Sequence, residues 1–384
     1  MKRSTKVALG LVAVMVAARA LAPMIVEGRM NKVTGKVIPV SAAARALHTR
    51  LFVADLHADT TLWNRDLLAR GTRGHVDVPR LVEGGVALQA FTIVTKTPRN
   101  MNIERNTADT DNITLLSIVE LWPPRTWTNL TERALYEASR VTDAAARSNG
   151  RLLVIRSAAD LDTLDRRRNV DKTVVGAFIG VEGAHALSGD LNNLDRLFDA
   201  GVRMMAPTHF FDTDIGGSAH GVNRSGLTDL GRTWVARMEA RKMVIDLAHA
   251  SPATISDVLK VATRPVVVSH TGVRGTCDNQ RNLSDAQLAA IALNGGIIGI
   301  GVWDTAVCGD DARAIARSIQ YAIKVAGAEH VALGSDFDGA VTAPFDVTGL
   351  PQITQALMDL GVGETEIAGV MGGNVHRLLK RLLP

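Results

Sequence analysis

One recurring event constrains the fold of this chain more than any other: a short apolar run, of strand length, that stops abruptly at His, Asp or Glu. Leu51–Ala54 runs into Asp55-Leu56-His57-Ala58-Asp59, and His330–Leu333 runs into Gly334-Ser335-Asp336-Phe337-Asp338-Gly339. Between them Val174–Val181 ends at Glu182, Val202–Thr208 at His209, Met243–Ala248 at His249 and Pro265–Ser269 at His270. Apolar, β-rich runs this short read as buried strands rather than helices. Val86–Val94 and Gly296–Val302 bring the number of such runs to eight.

Plausible helices separate them, among them Leu191–Ala200, Thr228–Arg241, Ser251–Ala262 and Ser284–Asn294. Eight strand–helix units predict an α/β chain folded as a closed (β/α)8 TIM-type barrel, in preference to an open doubly wound sheet. A long insertion between strands 2 and 3, Thr95 to about Thr173, contains a helix over Leu130–Ser148, a strand-like Arg151–Arg156 and a helix capped by Ser157. An insertion of this length is expected to form a wall or lid over the active face, with Trp122 and Trp127 either lining it or packed beneath it.

Taken singly, each polar strand end has a structural explanation, such as a cap or a turn. In a barrel, however, all the C-terminal strand ends converge on the face that carries catalysis. Imidazole with carboxylate and no thiolate suits zinc or a similar divalent ion. More ligands are present than one catalytic zinc needs, and two ions sharing a carboxylate would use the surplus. No dinucleotide, Walker or G-x-S-x-G signature occurs, and the glycine pairs at 216–217, 295–296 and 372–373 read as turns or close packing. Ser269 beside His270 imitates a nucleophile–base pair, but neighbours on a strand point to opposite faces.

The pI of about 9.2 arises at one end of the chain. Residues 1–36 carry a net charge of +6 against +4 for the whole, so the body is −2 and presents no phosphate-binding stripe; nucleic acid is set aside. Met1–Lys6 forms a basic start, and Val7–Ala18 is an unbroken apolar run. That pattern reads as an export signal, with Ala20-Leu21-Ala22 resembling a cleavage site and Pro23 an awkward neighbour. An uncleaved anchor over Val7–Val26, at the cost of burying Arg19, is the alternative. The division expected is therefore a leader or anchor with linker over residues 1–41, and a metal-dependent barrel over 42–384, outside the cytoplasm. Cys277 and Cys308 are either two buried thiols or, in that compartment, a disulfide.

The blocks Asp55-x-His57-x-Asp59, Gly180-Val-Glu182-Gly, Thr208-His209, Ile245-Asp-Leu-Ala-His249-x-Ser251, Ser269-His270, Arg281-Asn282, Gly334-Ser-Asp336-Phe-Asp338-Gly339 and Gly372-Gly373-Asn374 carry a resemblance from Leu51 to the C-terminus. Together they resemble the membrane dipeptidase (renal dipeptidase) family of zinc peptidases, within the amidohydrolase-like metal-dependent barrels. The resemblance implies two Zn²⁺ per chain, with His57 and Asp59 on one, His249 and His270 on the other, and Glu182 bridging. It implies that Asp336 lies at the first zinc and moves the proton of a bridging hydroxide, that His209 polarises or positions the scissile carbonyl, and that Arg281 holds the substrate's free carboxylate. It further implies a Cys277–Cys308 disulfide bracing the Arg281 loop, and a homodimer as in many members.

The function so implied is an exported dipeptidase, with a D-residue at the C-terminal position and β-lactam-like amides left open. The rivals are a hydrolase of N-acyl amino acids, lactones or phosphoesters on the same centre, and a non-catalytic binding protein on a retired barrel. His376, in a C-terminal helix, is expected only to pack.

Overall fold

The structure is a computed structural model that describes residues 21–384. Its frame is a ring of eight parallel strands: β1 (Val53–Ala58), β2 (Val86–Val94), β3 (Val175–Glu182), β4 (Val202–Met205), β5 (Val244–Ile245), β6 (Val267–Thr271), β7 (Ile297–Ile300) and β8 (Val331–Leu333). They pair in the order β5-β4-β3-β2-β1-β8-β7-β6. A parallel bridge from Asp246 to Val267, in which the Leu247 N–H donates to the Val267 carbonyl at 2.7 Å, joins the two ends. Every strand thus lies beside its neighbours in sequence, as in the predicted TIM-type barrel. Both faces are covered, which is why β2 and β3 are buried at every position.

The helices between strands begin where the side chains can cap them. Ser251 accepts the Thr254 N–H at the start of Pro252–Val261, and Ser284 forms a reciprocal capping box with Gln287 at the start of Asp285–Leu293. At one end of the barrel, interior strand residues including Leu88, Phe178 and Met204 share a cluster with Val375 and Leu379 of the C-terminal helix Asn374–Leu382. Gly372, at φ 157°, lets the backbone close there, because a Cβ would stand 2.1 Å from the Phe52 carbonyl oxygen. His376 does more than pack: its ring meets Phe52 edge-on, and Nε2 lies 2.9 Å from an Asp165 oxygen.

The opposite end is polar, and the ladders stop short of it. β4 ends at Met205 and β5 at Ile245, several residues before His209 and His249. Beyond them the chain turns to aim side chains across the mouth. His249, Asp336 and Asp338 take left-handed backbone conformations, with φ of 61°, 61° and 63°. Such conformations are uncommon outside glycine and persist where the surroundings hold them.

The insertion between β2 and β3 divides its work. Helix Leu130–Arg147 packs on the side of the barrel against β2, β3 and Leu152–Val154, and that last segment adds a ninth parallel strand beside β3, outside the ring. The part that reaches the mouth lies between Thr97 and Val119. Trp122 is buried in a small cluster with Trp63, and the Trp127 indole donates to the Trp122 carbonyl, so both tryptophans pack.

The segment expected to act as an export signal or anchor lies mostly in residues 1–20, outside the described residues. Residues 21–30 are helical, and among the described residues no helix is long and apolar enough to cross a membrane.

Candidate active site

At the polar end, side chains from six strand ends converge around Glu182, which closes β3 and is 2% exposed. Its Oε1 faces three imidazoles: His249 Nε2 at 3.0 Å, His270 Nε2 at 3.3 Å and His57 Nε2 at 3.6 Å. Its Oε2 is 3.0 Å from His209 Nε2. His57 Nε2 also lies 3.4 Å from Asp59 and 4.0 Å from Asp336. Three overlapping sets satisfy metal-ligand spacing: His57, Glu182 and His270; Glu182, His209 and His249; and His57, Asp59 and Asp336. All seven ligand-type residues expected from the sequence therefore meet at one place.

The hydrogen bonds behind the imidazoles test whether the residues suit cations. Ser269 Oγ donates to Asp246 Oδ2 at 2.6 Å, which spends its only proton. Its lone pairs then accept from Nδ1 of His57 and Nδ1 of His270, each at 3.0 Å. Both rings consequently turn an Nε2 lone pair toward Glu182, and the His270 Nε2 stands only 2.9 Å from that of His249. Two imidazole nitrogens at that distance need a shared proton or a cation between them, and His57 Nε2 and Glu182 Oε1, buried and lacking a hydrogen-bond partner, leave room for a cation there. The donor set, imidazole and carboxylate without thiolate, suits zinc or a related divalent ion.

The proton affinities say the same. Burial pulls His57 down, but the carboxylates of Glu182, Asp59 and Asp336 overcome it and lift the imidazole to about 10, so a proton stands where a cation would. Burial, with the Arg281 cation nearby, drives His249 well below the ordinary histidine range, and burial with His57 and Arg281 does the same to His270. Glu182 lies well below the usual carboxylate range despite its burial, held there by the surrounding imidazoles. Asp336 goes the other way: burial raises it well above that range, and Asp59 and Glu182 add to the rise against the pull of His57.

Ser269 departs from the expectation that it faces away from His270. An irregular register between Val268 and Thr271 lets its hydroxyl reach the ring. Neither Ser269's role nor Asp246's was legible from the sequence, although an Asp inside the apolar run Met243–Ala248 is a signal of a buried polar partner. A matching pair supports the first strand end. Asp55 accepts from Gln89 Nε2, Ser335 N and Ser335 Oγ, each at 2.7 Å, and Thr92 Oγ1 donates to Asp59 at 2.6 Å. Gly334 permits the close approach of the Asp336 turn, since a Cβ there would lie 1.8 Å from the Ser269 carbonyl oxygen. Asp338 is structural: it pairs with Arg65 at 2.7 Å and accepts the His75 N–H at 2.6 Å.

Arg281 lies beside the cluster, 8% exposed, with Nη2 donating to the His270 carbonyl at 2.8 Å and Nη1 directed at Thr271 Oγ1, 3.4 Å away. Its remaining donors face a cavity of about 570 Å³ that opens over Glu182, His209, His249, Asp59 and Asp336. Cys277 and Cys308 form a disulfide, with Cα atoms 5.2 Å apart, that ties the Arg281 loop to the segment after β7. The cavity wall also contains His220, which the sequence did not single out. Its Nδ1 donates to the Ile103 carbonyl at 2.7 Å, and burial beside Arg281 lowers it to about 3, so the ring is neutral.

Comparison with known proteins agrees with this geometry. A dipeptidase of Aspergillus oryzae, aclJ, is 34% identical over 215 residues, which are 53% of this chain and 51% of the relative, so the match spans about half of that protein. A solved metallopeptidase of family M19, dipeptidase AC, superposes with a TM-score of 0.71 at 26% identity, over 86% of this chain and 99% of the other. A metallopeptidase from Rhodobacter sphaeroides, solved with a phosphinate mimic of the dipeptide L-Ala-D-Ala, gives 0.70 at 26% identity over 86% and 99%. The sequence profile of the membrane dipeptidase family covers residues 41–382, nearly the whole barrel, and the chain belongs to that family, peptidase family M19.

Proposed function

We propose that the protein is an exported dipeptidase whose Glu182-centred cluster holds two zinc ions and which hydrolyses the single peptide bond of a substrate anchored by Arg281. The observation that carries this is one buried carboxylate facing three imidazoles, two of which, His57 and His270, have Nδ1 bound to Ser269 and Nε2 turned to it, with Asp59 and Asp336 on the His57 side. His57 and Asp59 would hold one ion, His249 and His270 the other, with Glu182 between. The chemistry such ions supply is an activated water and a polarised carbonyl.

The chain's own residues do the rest. Arg281, fixed by its backbone contact and by the disulfide, offers a charged fork to a free carboxylate. A longer peptide has no carboxylate at that distance from the reacting bond, so dipeptides are selected. Asp336, a buried carboxyl with raised proton affinity, accepts the proton of the attacking water and delivers it to the leaving amine. His209, held by Glu182 Oε2, orients the carbonyl oxygen. The L-Ala-D-Ala mimic bound by the Rhodobacter sphaeroides relative supports a dipeptide substrate and favours acceptance of a D-residue at its C-terminal position. Export is supported by the basic–apolar start of the sequence and by the disulfide, which persists in oxidising compartments.

A side-by-side assay of L-L and L-D dipeptides, an N-acetyl amino acid and an aryl phosphoester tests the reading. Dipeptides should be turned over fastest; phosphoester hydrolysis without dipeptide hydrolysis would refute it.

A further inference from the structure

We infer that the helix at residues 21–30 and helix Asn112–Val119 build an apolar specificity pocket for the acyl half of the substrate, which is therefore an amide bearing a large aliphatic or aromatic group on that side. The inference rests on the reading of Arg281 as the carboxylate anchor.

In an eight-strand ring the loop after β6, which carries Arg281, faces the loop after β2 across the mouth. A substrate whose carboxylate is held at Arg281 and whose amide lies over Glu182 extends its acyl half toward the β1, β2 and β8 loops. That wall is apolar. Leu62, Ile113, Leu116 and Val119 line it, and Val26 and Met30 complete it from the N-terminal helix. Beyond Asp59 and Asp336, which belong to the Glu182 cluster, the polar side chains from those loops are Thr97, Asn102, Asn112 and Thr342, and none carries a charge. A cavity of about 570 Å³ is of the size that takes drug-sized ligands, and two alanine residues would leave much of it unfilled.

The N-terminal helix is built into this wall. Glu27, 2% exposed, pairs with Arg65 and with Arg73 at 3.3 Å, and Arg65 also pairs with Asp338 in the turn that carries Asp336. Asn31 accepts the Ala340 N–H at 2.9 Å, and Lys32–Val33 pairs in parallel with Thr342–Ala343. Val26 and Met30 precede the family match at 41–382, so this part of the pocket belongs to the chain's own N-terminal segment.

An apolar acyl side can be the side chain of the first residue of a dipeptide or a fatty-acyl chain on an amino acid, and one experiment separates the two. The full-length protein is assayed on Ala-Ala, Leu-Ala, Phe-Ala and N-octanoyl-alanine. Because methylenes in a matched pocket count for about tenfold or more each, kcat/KM for Leu-Ala and Phe-Ala should exceed that for Ala-Ala at least tenfold. Met30→Ser and Leu116→Asn should reduce the larger substrates at least about tenfold more than Ala-Ala, and Leu116→Met should restore the preference. Turnover of N-octanoyl-alanine, reduced by the same variants, identifies the acyl-chain source; its failure beside a kept Leu and Phe preference identifies the side-chain source. Rates that are flat across the series, or variants that depress every substrate equally, overturn the pocket. If no dipeptide is turned over, the dipeptidase reading is what fails. Calorimetric binding of the same series then still decides the pocket: affinity that does not rise from Ala-Ala to Leu-Ala overturns it.

Discussion

At the residue scale the account turns on one hydroxyl. Ser269 gives its proton to Asp246 and accepts from both His57 and His270, so a single side chain fixes two imidazole tautomers on the two sides of Glu182. Ser269→Ala should lower zinc affinity by about 10–100-fold, as loss of a group supporting metal ligands does, in competition with a chromophoric chelator. Unchanged affinity would show that the rings are held by packing alone. Arg281→Ala should raise KM for dipeptides by roughly tenfold to a hundredfold with a smaller effect on kcat, since a charged contact contributes about 1.5–3 kcal/mol. An unchanged KM would remove the anchor. The clustered residues were legible because a His, Asp or Glu that ends an apolar run has few purely structural uses when the pattern recurs around a barrel. Ser269 and Asp246 were not, because their meaning lies in a contact between β6 and the end of β5 that no local pattern encodes.

At the element scale the segments around the mouth matter most, and two tests belong to them. The disulfide joins the Arg281 loop to the segment after β7, and Asn282 Nδ2 bridges the same loop to the Cys277 and Ala306 carbonyls, at 2.7 and 2.9 Å. Replacing both cysteines by serine should raise KM more than it lowers kcat, because the loop that presents the carboxylate anchor loosens while the cluster stays intact. Equal losses in both would place the disulfide's effect on the whole fold.

The second concerns Glu120, just after helix Asn112–Val119 and 1% exposed, which accepts the Asn64 N–H at 2.7 Å. Burial, aided by the Glu27 carboxylate, raises it from 4.5 to about 7. The folded protein therefore keeps this proton where the unfolded chain has lost it. Its contribution to stability is complete below about pH 4.5 and is lost as pH rises through about 7, a change on the order of 3 kcal/mol. Denaturant titrations should show wild type losing stability across that window relative to Glu120→Gln. Parallel profiles would contradict the assignment. Element boundaries were the least readable part of the sequence: the runs toward His209 and His249 read as continuous strands, whereas the ladder stops so that the chain can turn over the mouth. Helix Leu130–Arg147 has a clear signal within an insertion expected to wall the active face, yet sequence alone does not show which side of a barrel an amphipathic helix covers.

At the scale of the whole molecule the barrel is divided along its axis. Apolar side chains and the C-terminal helix close one end, and the other holds buried carboxylates and imidazoles whose charges need one another and a cation. The ring order was readable because eight runs alternate with helices, and a right-handed parallel ring is the compact way to pack them. The place of residues 21–30 was not readable, since a stretch following an apolar leader looks like linker until its Glu27 meets Arg65 and Arg73.

The central claim is that the Glu182 cluster is a two-ion hydrolytic centre. Elemental analysis of the purified full-length protein, paired with dipeptide hydrolysis before and after chelation and zinc return, tests it most directly. The account predicts close to two zinc ions per chain, activity abolished by chelation and restored by zinc, and both metal content and rate lowered in Glu182→Gln. Dipeptide hydrolysis that survives complete removal of metal would contradict it.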